Sequence, residues 1–115
     1  MSKDNVRIEL EKYLKKASSI DGFTLLFYAD RALDELADEE LAKKFVVASE
    51  KKAIGEPDPS ELAHPCDLGA KIYALFKDRD RAERAFRSCL DASGWDMSSV
   101  KSTERDWLKI CKKFK

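Results

Sequence analysis

Apolar residues recur along most of the chain at the three- and four-residue spacing of an amphipathic helix. Residues 5–17, for example, place Val6, Leu10 and Leu14 on one face, with charged residues between them. No segment shows the strict alternation of apolar and polar residues that is typical of a strand. The pattern predicts an all-α fold of about six short helices, in one domain spanning residues 1–115.

Capping residues predict where several of these helices begin. Asp21, Asp38 and Asp78 each precede an apolar helical pattern, and an aspartate at that position can accept hydrogen bonds from free amides of the first turn. Pro65 is predicted to open the fourth helix, because proline is well suited to the first helical position.

Two apolar segments are predicted to pack in the core. The run Phe23–Tyr28 is apolar on nearly all sides, which predicts a central helix start. Residues 95–102 are predicted to be irregular, with the last helix beginning near Thr103. The apolar residues of this irregular segment are expected to lie in the core: Trp95, Met97 and Val100.

A faint internal repeat indicates how the helices are organised. The segment Leu41-x-x-x-Phe45-x-x-Ala48 aligns with Ala82-x-x-x-Phe86-x-x-Cys89 at an offset of 41. Each segment follows an apolar helix and a short acidic turn. The repeat predicts a short stack of two helix-turn-helix hairpins with flanking helices, and a compact helical bundle is the alternative.

The second predicted hairpin, residues 66–93, resembles a tetratricopeptide or Sel1-like repeat. The matching residues are Tyr73, Ala82, Phe86 and Cys89. In that family, helix pairs stack into a curved superhelix that binds peptides on its inner face. The resemblance therefore implies that Asp67 and Lys71 occupy ligand-facing positions.

The charges balance over the whole chain but not along it. Lysine plus arginine equals aspartate plus glutamate at 22 each, so no net field favours nucleic acid or an anionic membrane. Residues 30–40 carry six acidic residues and one arginine, whereas residues 101–115 carry six basic and two acidic residues. The candidate partner-binding residues in these segments are Asp34, Glu35, Lys109, Lys112 and Lys113.

The basic C-terminal segment raises the alternative of a nucleic-acid-associated regulator. Trp107 and Phe114 could stack on bases beside these cations. They share one helical stripe with Ile110 and Cys111, however, and this spacing predicts that both aromatic rings face the core. Nucleic acid is therefore the weaker hypothesis.

One cluster of potentially reactive groups stands out, in His64-Pro65-Cys66-Asp67. A histidine beside a cysteine could activate a thiolate, which gives a thiol-dependent enzyme as a further hypothesis. A metal site needs about four ligands, and the chain offers neither a second histidine nor closely spaced cysteines. We therefore predict a helix-start histidine and a core cysteine, with no catalytic residue, metal or cofactor.

The function predicted by elimination is a non-catalytic module that binds a protein or peptide, such as an adaptor, chaperone or regulator. A bacterial immunity or antitoxin protein that covers a basic toxin with its acidic side is a special case. The chain has neither a signal-peptide-like start nor an apolar run of about 20 residues, which predicts a cytoplasmic protein with no membrane partner. The oligomeric state stays open.

Overall fold

The computed structural model describes residues 2–114, and that part of the chain contains six α-helices and no strand. The helices are α1 (Lys3–Lys15), α2 (Gly22–Leu36), α3 (Glu39–Ala53), α4 (Pro65–Phe76), α5 (Arg79–Ala92) and α6 (Met97–Cys111). Short 3-10 turns, Ala17–Ser19 and Pro59–Glu61, follow α1 and precede α4. The all-α prediction is confirmed. No helix within the described range is long and apolar enough to cross a membrane.

The predicted capping residues lie where the sequence indicated. Asp21, Asp38 and Asp78 are the N-caps of α2, α3 and α5, and each side chain accepts a hydrogen bond from the amide three residues further on. Pro65 occupies the first turn of α4. Because these signals act within one helical turn, they fix the helix starts independently of the rest of the fold.

The turns of the two hairpins share one backbone conformation. Helices α2 and α4 both end in a left-handed residue, Ala37 (φ 50°) and Lys77 (φ 54°), which the capping aspartate follows directly. These paired positions lie forty residues apart, so the offset of 41 predicted from the sequence is wrong by one. The sequence pattern had matched Phe45 with Phe86 because both are aromatic, whereas the turn pairs Phe86 with Val46, and all three side chains are buried.

The hairpins are held together by an ion pair between α3 and α5. The guanidinium group of Arg81 donates two hydrogen bonds to the carboxylate of Glu50, at 3.0 and 2.7 Å. The same guanidinium group lies 4.1 Å from the ring centroid of Phe76. A two-point arginine–carboxylate contact restricts geometry more than a single bond does, so this pair helps to orient the second hairpin on the first beside their shared apolar core.

The connection between the hairpins passes close to the start of α2. A Cβ atom at Gly22 would lie 2.9 Å from the backbone nitrogen of Ala63, so only glycine allows this approach. Buried side chains satisfy the nearby carbonyl oxygens: Ser49 Oγ donates to Gly22 at 3.1 Å, and Cys89 Sγ donates to Ala63 at 3.0 Å. Ala63, near the end of the connection, is therefore part of the packed interior, whereas most of the connection before it is exposed.

Helix α6 covers the second hairpin through one tryptophan. The Trp107 side chain is 1% exposed, and its ring stacks on Phe86 with centroids 4.6 Å apart. Its indole N–H donates to the carboxylate of Glu83 on α5. On α4, the space for the indole exists because residue 69 is glycine: a Cβ atom there would lie 2.5 Å from Trp107 Cζ3.

The structure corrects the prediction for residues 95–102. This segment is not irregular, because α6 begins at Met97, where Asp96 accepts a hydrogen bond from the Ser99 amide at 2.8 Å. Trp95 and Met97 are 40% and 66% exposed, so the prediction that they lie in the core is wrong, whereas Val100 does pack against the core. Trp95 precedes the Asp96 cap and Met97 opens the helix, so both lie ahead of the stretch of α6 that packs against the core.

The contact between Gly69 and Trp107 yields a stability prediction. We expect Gly69→Ala to lower the free energy of unfolding by about 1–2 kcal/mol, because the clash outweighs the gain of about 1 kcal/mol that alanine brings to a helix. Chemical denaturation measures the change. In a Trp107→Phe background, which lacks the clashing ring atoms, Gly69→Ala should be neutral or stabilising. Equal losses in both backgrounds would contradict the clash.

Candidate functional site

A groove of about 460 Å³ runs between α2 and α4. Five apolar residues line it: Phe23, Leu26, Phe27, Ala70 and Ala74. The polar lining residues are Asp30, Asp67 and Lys71. A volume in this range is typical of ligand sites in proteins, and we call this feature the front groove.

Two phenylalanines on the wall of the front groove are unusually exposed. Phe23 is 64% exposed and Phe27 is 55% exposed, and they lie one helical turn apart on α2. The prediction that the whole Phe23–Tyr28 run lies in the core is therefore wrong for these two residues. Leu25 and Leu26 occupy the buried side of α2, whereas the phenylalanines lie on the side that the other helices leave uncovered.

Carboxylates continue the same face of α2 beyond the phenylalanines. Asp30 lines the groove and Asp34 is exposed one turn further along the helix. Across the groove on α4, the ammonium group of Lys71 bonds to the carboxylate of Asp30, and Asp67 is exposed one turn before it. With Asp30 and Asp67 in the lining, Asp34 one turn further along α2 and a single lysine, the charged residues of this surface carry a local negative charge.

The structure brings some of the predicted site residues together. Asp67 and Lys71, named through the repeat resemblance, both line the front groove, whereas Asp34 is exposed one helical turn beyond the lining residue Asp30. Glu35 lies apart from them, because it accepts a hydrogen bond of 2.7 Å from Arg31. Arg31 also donates to Glu9 on α1, at 3.0 Å, so Glu35 belongs to a contact between helices.

Much of the acidic run at residues 30–40 is paired within the chain. Asp38 accepts a hydrogen bond from Arg7 and caps α3, and the Arg7 contact is the largest influence that lowers the pKa of this carboxyl group. Glu40 forms an ion pair with Lys43 at 3.3 Å. The acidic surface open to a partner is therefore narrower than the composition of the run suggests.

The basic C-terminal segment offers cations but not the aromatic stripe beside them. Lys109, Lys112 and Lys113 are exposed, and Lys115 lies outside the described residues. Trp107 is buried and the Phe114 ring stacks on Tyr73 with centroids 3.9 Å apart. The prediction that both rings face inward is confirmed, so neither of them is available to stack on a base.

The neighbouring His64 and Cys66 do not form an activated thiol. The His64 Nδ1 atom accepts a hydrogen bond of 3.2 Å from the Cys66 amide and caps α4. The Cys66 thiol is 4% exposed and donates to the Thr103 carbonyl oxygen at 3.6 Å. Burial, followed by the charges of Asp106 and Asp67, raises the pKa of Cys66 to about 11. The predicted helix-start histidine and core cysteine are confirmed.

Across residues 2–114, no group of three or more histidine, cysteine, aspartate or glutamate side chains is arranged to hold a metal ion. Comparisons with protein-family models, with curated proteins and with solved structures found no match to this chain.

Sequence reasoning missed Phe23 and Phe27 as site residues, although a signal was present. Phe23, Phe27, Asp30 and Asp34 fall at i, i+4, i+7 and i+11, so one stripe of the helix changes from aromatic to acidic along its length. A core-facing stripe normally stays apolar throughout. The change from aromatic to acidic residues along this stripe of α2 indicates that the stripe is in contact with solvent.

Burial of the thiols predicts their reactivity. We expect Cys66 and Cys89 to resist iodoacetamide in the folded protein at about pH 8, because burial raises the pKa of both thiols to about 11 and the thiolate is the reactive form. Cys111, which is only partly buried, should react first. Mass spectrometry of each cysteine-containing peptide over time measures the rates, with the urea-unfolded chain as control. Alkylation of Cys66 at its unfolded rate would contradict the prediction.

Proposed function

We propose that this protein is a non-catalytic recognition module that binds a basic amphipathic segment of a partner protein in the front groove. The observation that carries the proposal is the exposure of Phe23 and Phe27 on one wall of that groove. Exposed aromatic clusters on soluble proteins commonly mark sites of interaction.

The apolar half of the groove supplies the affinity. Covering one phenylalanine side chain contributes about 1.5–3 kcal/mol, and aromatic residues are frequent among those that dominate binding. Phe23 and Phe27 stand above a floor that includes the buried Leu26 and the small Ala70. This shape suits a large apolar side chain of the partner, inserted between the aromatic wall and α4.

The polar half of the groove supplies the selectivity. Lys71 pairs with Asp30, which leaves Asp67 exposed on α4 and Asp34 exposed on α2, one turn beyond Asp30. Lysine or arginine residues next to the apolar anchor of the partner would meet these carboxylates, whereas acidic residues would be repelled. We therefore expect the partner segment to carry at least one cation within a turn of its anchor.

Two further considerations agree with this proposal. A repeat of the tetratricopeptide or Sel1-like kind would bind its peptide through the first helices of its hairpins, which here are α2 and α4. Neutralisation of a basic toxin by an immunity or antitoxin protein would use the same acidic groove. Rescue of growth on co-expression with a candidate toxin would distinguish this special case from an adaptor.

The test is selection of peptides from a phage-displayed random library on the immobilised protein. We expect enrichment of sequences that combine a large apolar residue with lysine or arginine. The double variant Phe23→Ser/Phe27→Ser should weaken binding of the selected peptides by about a hundredfold, because two apolar contacts are lost. Titration calorimetry measures the affinities.

A matched control removes equally exposed apolar side chains elsewhere. Ile8 on α1 is 57% exposed and Leu108 on α6 is 59% exposed, and neither lines the front groove. The variant Ile8→Ser/Leu108→Ser should bind the selected peptides as the unmodified protein does. The proposal is wrong if the two double variants lose affinity equally, or if the library yields no peptide that depends on the phenylalanines.

A further inference from the structure

A second cleft, of about 450 Å³, lies between the end of α1 and the outer side of α3. Four apolar residues form its floor: Leu14, Ala17, Val47 and Ala48. The ammonium group of Lys52 donates to the Ser18 carbonyl oxygen at 3.0 Å and pairs with Glu61, so this lysine ties the turn after α1 to the connection before α4. We call this feature the basic cleft.

Two other lysines bracket the apolar floor. Lys44 and Lys51 both line the basic cleft, are exposed, and have no ion-pair partner within residues 2–114. The nearby Glu40 bonds to Lys43 instead, at 3.3 Å. Lys15 is also exposed, at the end of α1. The rim of the cleft is therefore positive while its floor is apolar.

The spacing along α3 defines what can occupy the cleft. Lys44 and Lys51 lie seven residues apart, which is two helical turns or about 10 Å, and Val47 and Ala48 lie midway between them. A partner helix lying along α3 meets these positions with residues at i, i+3, i+4 and i+7. We propose that the basic cleft binds an amphipathic helical segment of a protein partner that carries acidic residues seven apart and apolar residues between them.

The chemistry of the cleft favours such a segment over other anionic partners. Its lining residues include neither arginine nor an aromatic side chain, which are the groups that hold nucleic-acid bases and phosphates most specifically. A membrane surface would contact projecting apolar side chains, whereas Leu14 and Val47 are only partly exposed and lie within a recess. A helix can enter the recess and pair with both lysines at once.

The inference does not depend on the function proposed above. The basic cleft and the front groove share no residue, and they differ in the sign of their charge. Binding at one surface can therefore be lost without loss at the other. If both proposals hold, the protein bridges a basic segment and an acidic segment.

The test uses a stapled helical peptide with glutamates seven residues apart and leucines at the third and fourth positions after the first glutamate. Titrated into the ¹⁵N-labelled protein at low salt, it should shift the amide signals of Ala17, Val47 and Ala48. The variant Lys44→Glu/Lys51→Glu should weaken binding by about tenfold, because two attractive contacts become repulsive. A peptide with lysines in place of the glutamates should bind this variant better than it binds the unmodified protein.

Two controls make the result decisive. The variant Lys101→Glu/Arg105→Glu changes the net charge equally on exposed positions of α6 and should leave binding unchanged. A stapled peptide with one glutamate moved off the binding face should bind more weakly. The proposal is overturned if that peptide binds equally well, if the shifted signals cluster in the front groove, or if the protein binds phosphatidylserine vesicles but not the peptide.

Discussion

The packing of Trp107 against Gly69 is the contact on which the closure of the second hairpin depends. A stack of two hairpins has an uncovered apolar side at each end, and α6 covers the far one by inserting a single large side chain between α4 and α5. The indole fits because α4 has no Cβ atom at that position, where one would lie 2.5 Å from the ring. Phe86 supports the other face of the ring, and Glu83 accepts its N–H. Without the space that Gly69 leaves on α4, the Trp107 ring could not lie against both α4 and α5.

The arrangement of the covering helices explains where the candidate sites lie. Helix α1 packs against α2, and α6 packs against α4, so each end of the stack is closed. The side on which α2 and α4 run next to each other has no helix above it, and it is there that Phe23 and Phe27 remain exposed. Because Phe23 and Phe27 are little more than half exposed, leaving them in water forgoes about 1–2 kcal/mol of burial for each. A function that uses the exposed rings accounts for this loss better than packing does.

Local signals in the sequence were sufficient to predict the fold class and most helix starts. The contacts between helices could not be predicted from the sequence. Asp38 and Asp78 cap their helices through bonds that span three residues, so the sequence alone identifies them. The exposure of Phe23 depends on which helices surround α2, and periodicity carries no such information. The prediction for Trp95 was wrong for a related reason. Its hydrophobicity favoured the core, but it lies just before the Asp96 cap of α6, where no helix covers it. The offset of 41 between the two hairpins was wrong by one because the alignment matched Phe45 with Phe86, whereas the turns at Ala37 and Lys77 match Val46 with Phe86.

A chain with equal numbers of acidic and basic residues can still discriminate between charged partners, provided that its charges are separated by more than the screening distance. At physiological ionic strength this distance is about 8 Å, so a surface acts on its partner largely through the charges that line it.

Most acidic side chains of residues 30–40 form ion pairs within the chain, as Asp38 does with Arg7. Because the two charges of such a pair largely cancel, these pairs contribute little to the electrostatic field in the solvent. The two proposals rest instead on charges that have no ion-pair partner within residues 2–114. Asp67 lines the front groove and Asp34 lies one helical turn beyond its lining residue Asp30, while Lys44 and Lys51 line the basic cleft. In each case the unpaired charges lie beside apolar surface, where contact excludes water and strengthens the electrostatic term. Net charge is therefore a poor guide to the partners of this protein, and in the two proposals it is unpaired charge beside exposed apolar surface that would select them.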